Sequence, residues 1–113
     1  MKVSLVQCEL KMGDVDTNFK NIEDKIRKSM VDNPDVIVLP EMWNTSFIPS
    51  NVNEICDKEG EKSKGLLSKL SKELNVNIIG GSVSNTLNEI LYNTSYIFDR
   101  NGNEIGKYNK VHL

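Results

Sequence analysis

Two residues stand where a side chain can do acid–base or electrostatic work. Glu41 directly follows Val36-Ile37-Val38-Leu39-Pro40, which puts a carboxylate at the C-terminal end of a strand. Open α/β sheets bind ligands outside those ends. A carboxylate withdrawn from water there has a raised pKa, which suits a general base. A solvated Glu that caps a loop fits the same position. Lys110 lies near the end of Gly106-Lys107-Tyr108-Asn109-Lys110-Val111-His112-Leu113. A fixed ammonium beside a carboxylate can stabilise an oxyanion, although position alone favours a surface lysine. Trp43, Asn44 and Phe47 follow Glu41; they read equally as pocket-lining residues and as aromatic anchors of a loop. Cys8 falls in an apolar first strand, where a small buried hydrophobe is the plain role. Cys56 falls in an irregular segment and reads as a structural or exposed thiol. His112 is the one histidine; at an element end it reads as a structural hydrogen-bonding group more than a ligand. With two distant cysteines it makes no metal-ligand spacing. No G-x-G-x-x-G and no Walker A loop is present, so no cofactor is expected.

The elements that must position these residues are legible from periodicity. Residues 2–9 alternate and read as a strand. Asp16 or Thr17 can cap the following helix, whose stripe is Phe19, Ile22, Ile26 and Met30. Asn33-Pro34 ends it. The run from Val36 to Leu39 suits a central strand covered on both faces, parallel and adjacent to the first. From Pro40 to about Gly60 no period is visible, as in long functional loops or short irregular turns. Leu66, Leu67, Leu70 and Leu74 mark a second helix over 61–75. A buried strand follows over 76–83, with Gly80-Gly81 suggesting a close backbone approach or a bulge. A strand over 91–99 carries Tyr92, Tyr96 and Phe98 on one face. Asn101-Gly102 predicts a type I′ hairpin, with residues 104–108 returning antiparallel.

The order is β-α-β-loop-α-β-β-β, an α/β chain with both helices on one face of a mixed sheet. The other face then needs cover. The 113 residues are therefore expected to be part of one larger domain, or to pair with another chain. With 14 basic and 16 acidic residues the net charge is −2, which attracts neither nucleic acid nor an anionic membrane. No apolar stretch approaches the roughly 18–20 residues of a membrane span. Glu9 and Lys11 interrupt a signal-peptide core, so a cytoplasmic protein with reduced thiols is expected. Asn44-Thr45-Ser46 and Asn93-Thr94-Ser95 match the glycosylation pattern by chance on that reading.

Leu39-Pro40-Glu41-Met42-Trp43-Asn44 and Lys107-Tyr108-Asn109-Lys110-Val111-His112-Leu113 closely resemble two signature segments of the nitrilase superfamily of carbon–nitrogen hydrolases. Val3-Ser4-Leu5-Val6-Gln7, Gly13-Asp14 with Asn18, and Gly80-Gly81-Ser82 are similar to the family in the same order. The resemblance implies an α-β-β-α sandwich that dimerises or assembles further. It implies a Glu-Lys-Cys triad, with Glu41 as general base and Lys110 stabilising the tetrahedral intermediate. The Cys thiolate would attack an amide or nitrile carbon and form a thioester. That Cys lies after the Lys in the family, as does a second supporting Glu. Cys8 and Cys56 do not match its position, so this chain is expected to be inactive alone.

The leading expectation is the N-terminal part of a hydrolase of small linear amides, similar to the ω-amidase-like branch that cleaves monoamides of short dicarboxylic acids. Its partners would be the small amide and a complementary C-terminal segment or further copies. The rival is a non-catalytic module whose open sheet face pairs with a second chain. A flavodoxin-like binding domain is disfavoured by the late hairpin.

Overall fold

The computed structural model describes residues 1–46, 52–88 and 90–111, with backbone alone at 52, 53, 110 and 111. The elements run β1 (Val3–Leu5), α1 (Val15–Ser29), a 3-10 turn (Met30–Asp32), β2 (Val36–Val38), α2 (Val52–Ile55), β3 (Asp57–Lys58), α3 (Glu61–Leu74), β4 (Asn77–Ile79), β5 (Val83–Leu87), β6 (Ile90–Phe98) and β7 (Glu104–Val111). The predicted stripes build both long helices: Ile22, Ile26, Leu67 and Leu70 are buried, with Phe19, Met30, Leu66 and Leu74 packed around them. The cap of α1 is Asp14 rather than Asp16 or Thr17, its side chain accepting from Thr17 N at 3.3 Å. In α3 the N-cap is Gly60, which has no oxygen to offer. Asp57 takes over, accepting from Lys62 N at 3.1 Å and Ser63 N at 2.7 Å. A carboxylate is well suited to those unpaired donors.

The sheet is mixed, with β1, β2 and β4 parallel and β6 antiparallel to its neighbours. One edge of β6 serves two strands in turn, β4 near its end and β5 near its start, while β7 runs along the other edge. The expected strand over 76–83 is thus two strands, broken at residues 80–82, and β5 extends beyond the expectation to Leu87. The first strand is shorter than expected, leaving Cys8 beyond it. The described residues between 40 and 60 hold turns, the four-residue α2 and the two-residue β3, which pairs with β5.

The hairpin forms at the expected place with a different turn. Only Gly102 takes positive φ (84°), whereas type I′ would need it at Asn101 too. Asp99 decides the matter: its Oδ1 accepts from Asn101 N at 2.9 Å and Asn103 N at 3.0 Å. Gly102 N donates to Asp99 O and Asp99 N to Asn103 O, both at 3.0 Å. This is the longer loop with a left-handed glycine, and Ser68 Oγ of α3 holds it by donating to Gly102 O at 2.7 Å.

Both long helices cover one face, as expected, and among the described residues the other face stays open. Ile37, Ile78 and Phe98 stand in one lateral row and are 0, 0 and 3% exposed. One residue further along, Leu5, Val38, Ile79 and Ile97 form the next row. There Leu5 is 70% and Ile79 38% exposed, and Val38 is only half-buried. Among the described residues β2 is covered on its helical face: alternation sends Ile37 to the helices and the half-buried Val36 and Val38 to the other side. Each such side chain contributes about 1.5–3 kcal/mol when fully covered.

The break at residues 80–82 rests on glycine. Gly81 has φ 59°, and a Cβ there would lie 2.0 Å from Pro40 O. Gly81→Ala should destabilise the chain by more than about 2 kcal/mol. Gly65→Ala, inside α3 with open space around it, should stabilise by about 0.5–1 kcal/mol. Urea unfolding midpoints of the two variants check both signs.

Candidate active site

The turn that carries Glu41 is fastened from below by the break in the sheet. Leu39 N donates to Ile79 O at 3.0 Å, and Ser82 N donates to Pro40 O at 3.2 Å. Met42 N donates to Ser82 Oγ at 2.9 Å, and Trp43 N to Ser82 O at 3.1 Å. Met42 sits at φ 49° within this turn. Glu41 itself is exposed, so within these residues it is not desolvated as the sequence suggested.

Trp43 and Asn44 are both fully buried. The Trp43 indole donates from Nε1 to Gly80 O at 2.8 Å and meets the Phe19 ring edge-on at 4.9 Å. Asn44 behaves as a short strand. Its Oδ1 accepts from Ser84 N at 2.9 Å and its Nδ2 donates to Ser84 O at 2.8 Å. Asn18 clamps the same turn from α1, donating from Nδ2 to Asn44 O at 2.9 Å and to Lys11 O at 2.7 Å. Thr45 Oγ1 and Ser84 Oγ are 2.9 Å apart. These are anchoring contacts, and through them Trp43 and Asn44 hold the backbone that presents Glu41. Phe47 and His112 lie outside the described residues.

Lys110 is placed by backbone register. It stands opposite Asn93 on β6, and Asn93 stands opposite Ser84 on β5. Ser84 in turn carries Asn44, so a lateral row runs Lys110, Asn93, Ser84, Asn44. Strands lie about 4.8 Å apart, so Lys110 is about 10 Å across the sheet from Ser84, counted between backbones. Strand direction agrees: β7 is antiparallel to β6, as β4 is, and β4 is parallel to β2. Glu41 and Lys110 therefore both lie at the C-terminal ends of strands pointing the same way.

The two cysteines are elsewhere. Cys56 lines an open cleft of about 530 Å³ with Phe19, Asn44 and Lys62, near the starts of α1 and α3, and Glu41 is not part of its wall. Cys8 lies beside Lys25 on a different surface. Burial pushes the Cys8 thiol above its ordinary value, partly offset by Lys25. Burial does the same at Cys56, partly offset by its hydrogen bond with Thr86. Neither is poised as a thiolate. Among the described residues no group of three or more His, Cys, Asp or Glu is placed to hold a metal, and no helix is long and apolar enough to cross a membrane.

The roles of Asn18, Ser82, Ser84 and Asn93 are not evident in the sequence as chemistry. The available signal for Ser84 was a polar stretch directly after Gly80-Gly81, where buried small polar groups commonly serve backbone partners.

The chain is thus an α/β layer with its long helices on one face, and the Glu41 turn and the Lys110 strand end lie at the same ends of its strands. The chain belongs to the carbon–nitrogen hydrolase family, whose profile matches residues 2–113. It is 37% identical over 111 residues to a 2-oxoglutaramate amidase of Bacillus subtilis, covering 98% of this chain and 42% of that protein. It is 36% identical to a hydrolase in the agr operon of Staphylococcus aureus, covering all of this chain and 43% of that one. The crystal structure of Saccharomyces cerevisiae Nit3, a member of branch 10 of the nitrilase superfamily, superposes with a TM-score of 0.85 at 27% identity. All of this chain is covered there, and 45% of Nit3. The chain thus spans less than half the length of these relatives.

Two outcomes follow. Asn44→Ala leaves the N–H and C=O of buried Ser84 unpaired, which should cost about 2–4 kcal/mol, and hydrogen exchange at the Ser84 amide should accelerate. Iodoacetamide at neutral pH should modify Cys8 and Cys56 more slowly than a cysteine in an unstructured peptide, with the difference abolished in urea.

Proposed function

We propose that this chain is the N-terminal part of one carbon–nitrogen hydrolase domain and supplies two of its three catalytic groups. Glu41 is the general base that takes the proton of a cysteine thiol. Lys110 stabilises the oxyanion as the thiolate adds to the carbonyl of a small linear amide. Collapse of that tetrahedral species breaks the C–N bond, Glu41 returns the proton to the departing nitrogen, and an acyl thioester remains. Water, deprotonated by the same base, hydrolyses it to the acid and the thiol. The nucleophile belongs to residues beyond these 113, since Glu41 lines neither the cleft of Cys56 nor that of Cys8 and burial raises both thiols.

The observation that carries this reading is the lateral row linking the Lys110 strand to the Glu41 turn through Asn93, Ser84 and Asn44. The partly exposed row of Leu5, Val38 and Ile79 supports a second layer supplied by the remainder of the protein or by another chain. That row also favours the second reading, a non-catalytic pairing module. The names of the relatives, a 2-oxoglutaramate amidase and an omega-amidase of Arabidopsis thaliana, support monoamides of short dicarboxylic acids as substrates.

The test is ammonia release from such monoamides by the protein of the whole reading frame. Glu41→Gln and Lys110→Met should each lower kcat/KM by at least about a hundredfold, and the 113 residues alone should release none. Unchanged turnover in either variant contradicts the assignment.

A further inference from the structure

Among the described residues two buried side-chain polar atoms have no hydrogen-bond partner, Ser63 Oγ and Asn93 Oδ1. A buried carbonyl with empty lone pairs is costly and is retained where something else donates to it. The neighbouring asparagine amides have partners within reach: Asn85 Oδ1 and Asn109 Oδ1 share the single Thr94 hydroxyl, which donates to one of them at a time, and Asn44 is paired with Ser84. Ser63 lies in the first turn of α3, on the helical layer and apart from the Glu41 turn. Asn93 is different, because it lies in the row that joins the two proposed catalytic positions.

Three placements define what Asn93 faces. Its backbone is directly opposite that of Lys110 in an antiparallel pair. It is directly opposite Ser84, the residue that docks the Glu41 turn. Thr94, Tyr96 and Phe98 are buried against the helical layer, so strand alternation turns Asn93 to the open face. The unused acceptor of Asn93 therefore lies on that face, one strand away from the backbone of Lys110.

A planar carboxamide presents the complementary pair, a carbonyl acceptor beside an N–H donor. We propose that Asn93 is a substrate-binding residue whose Oδ1 accepts an N–H of the carboxamide, with the substrate carbonyl toward Lys110. The proposal rests on the amidase reading above and adds to it a source of selectivity. An ester of the same acyl group has no N–H and turns a lone pair toward Oδ1 instead. Sites built around a hydrogen bond discriminate against analogues that lack the matching group.

The experiment uses the protein of the whole reading frame and one acyl group offered as its carboxamide and as its methyl ester. Asn93→Ala should lower kcat/KM for the amide at least about tenfold while the ester stays within about twofold. If Asn93→Ala fails to fold, Asn93→Leu, which keeps the volume and lacks the acceptor, is read the same way. An equal fall on both substrates would mean that Asn93 receives its donor from the polypeptide, and no change on either would mean it faces no donor; each overturns the proposal. A wild-type protein that cleaves the ester and not the amide overturns it as well. One that cleaves neither overturns the amidase reading beneath it.

Discussion

The contact between Gly81 and the carbonyl of Pro40 is the constraint on which the rest of this layer depends. A side chain at Gly81 has no room, and its backbone is left-handed. That allows the chain to leave β4, step aside and resume as β5 along the same edge of β6. The step exposes Gly80 O, Ser82 N, Ser82 O and Ser82 Oγ, and the turn after β2 uses all four. Buried backbone groups must be paired, so the break and the turn are each other's solution. Glu41 is presented by a turn whose backbone is hydrogen-bonded to the sheet on both sides of it.

A second consequence concerns distance along the chain. Glu41 and Lys110 are separated by most of the sequence, yet the sheet brings their backbones to one edge. The route is Asn44 acting as a strand substitute on Ser84, then two ladders of register to Lys110. Positioning on a sheet suits chemistry, because strand spacing is fixed by hydrogen bonding and not by loop packing. The helical face supplies the rigidity, with Ile22, Ile26, Leu67 and Leu70 packed on Ile37, Ile78, Tyr96 and Phe98. The opposite face carries an apolar row that the described residues leave partly exposed, in keeping with the chain's covering less than half of its relatives.

Much of the architecture could be read from residue pattern, and the failures have physical causes. Both long helices follow from their stripes, and β2 from its Val-Ile-Val run. The strand β5 is not legible beyond Val83 because Ser84, Asn85 and Thr86 are polar, although Ser84 and Asn85 are buried. Their polarity serves hydrogen bonds inside the sheet, which no hydropathy period records. The hairpin was placed correctly from Asn101-Gly102, but the Asp99 carboxylate captured two amides and changed the turn. Glu41 was visible from its strand end, whereas its exposure was not, since cover of the open face is a tertiary property. Trp43 and Asn44 followed Glu41 too closely in sequence to separate anchoring from lining. Only the partners Gly80, Phe19 and Ser84 reveal what they hold.

The most direct measurement of the central claim is peptide mapping of the acyl-enzyme. The protein of the whole reading frame would be quenched during turnover of a short dicarboxylic monoamide and digested. The account predicts a thioester on a cysteine beyond Leu113, absent from the Glu41→Gln protein. An acyl group on Cys8 or Cys56 would contradict it.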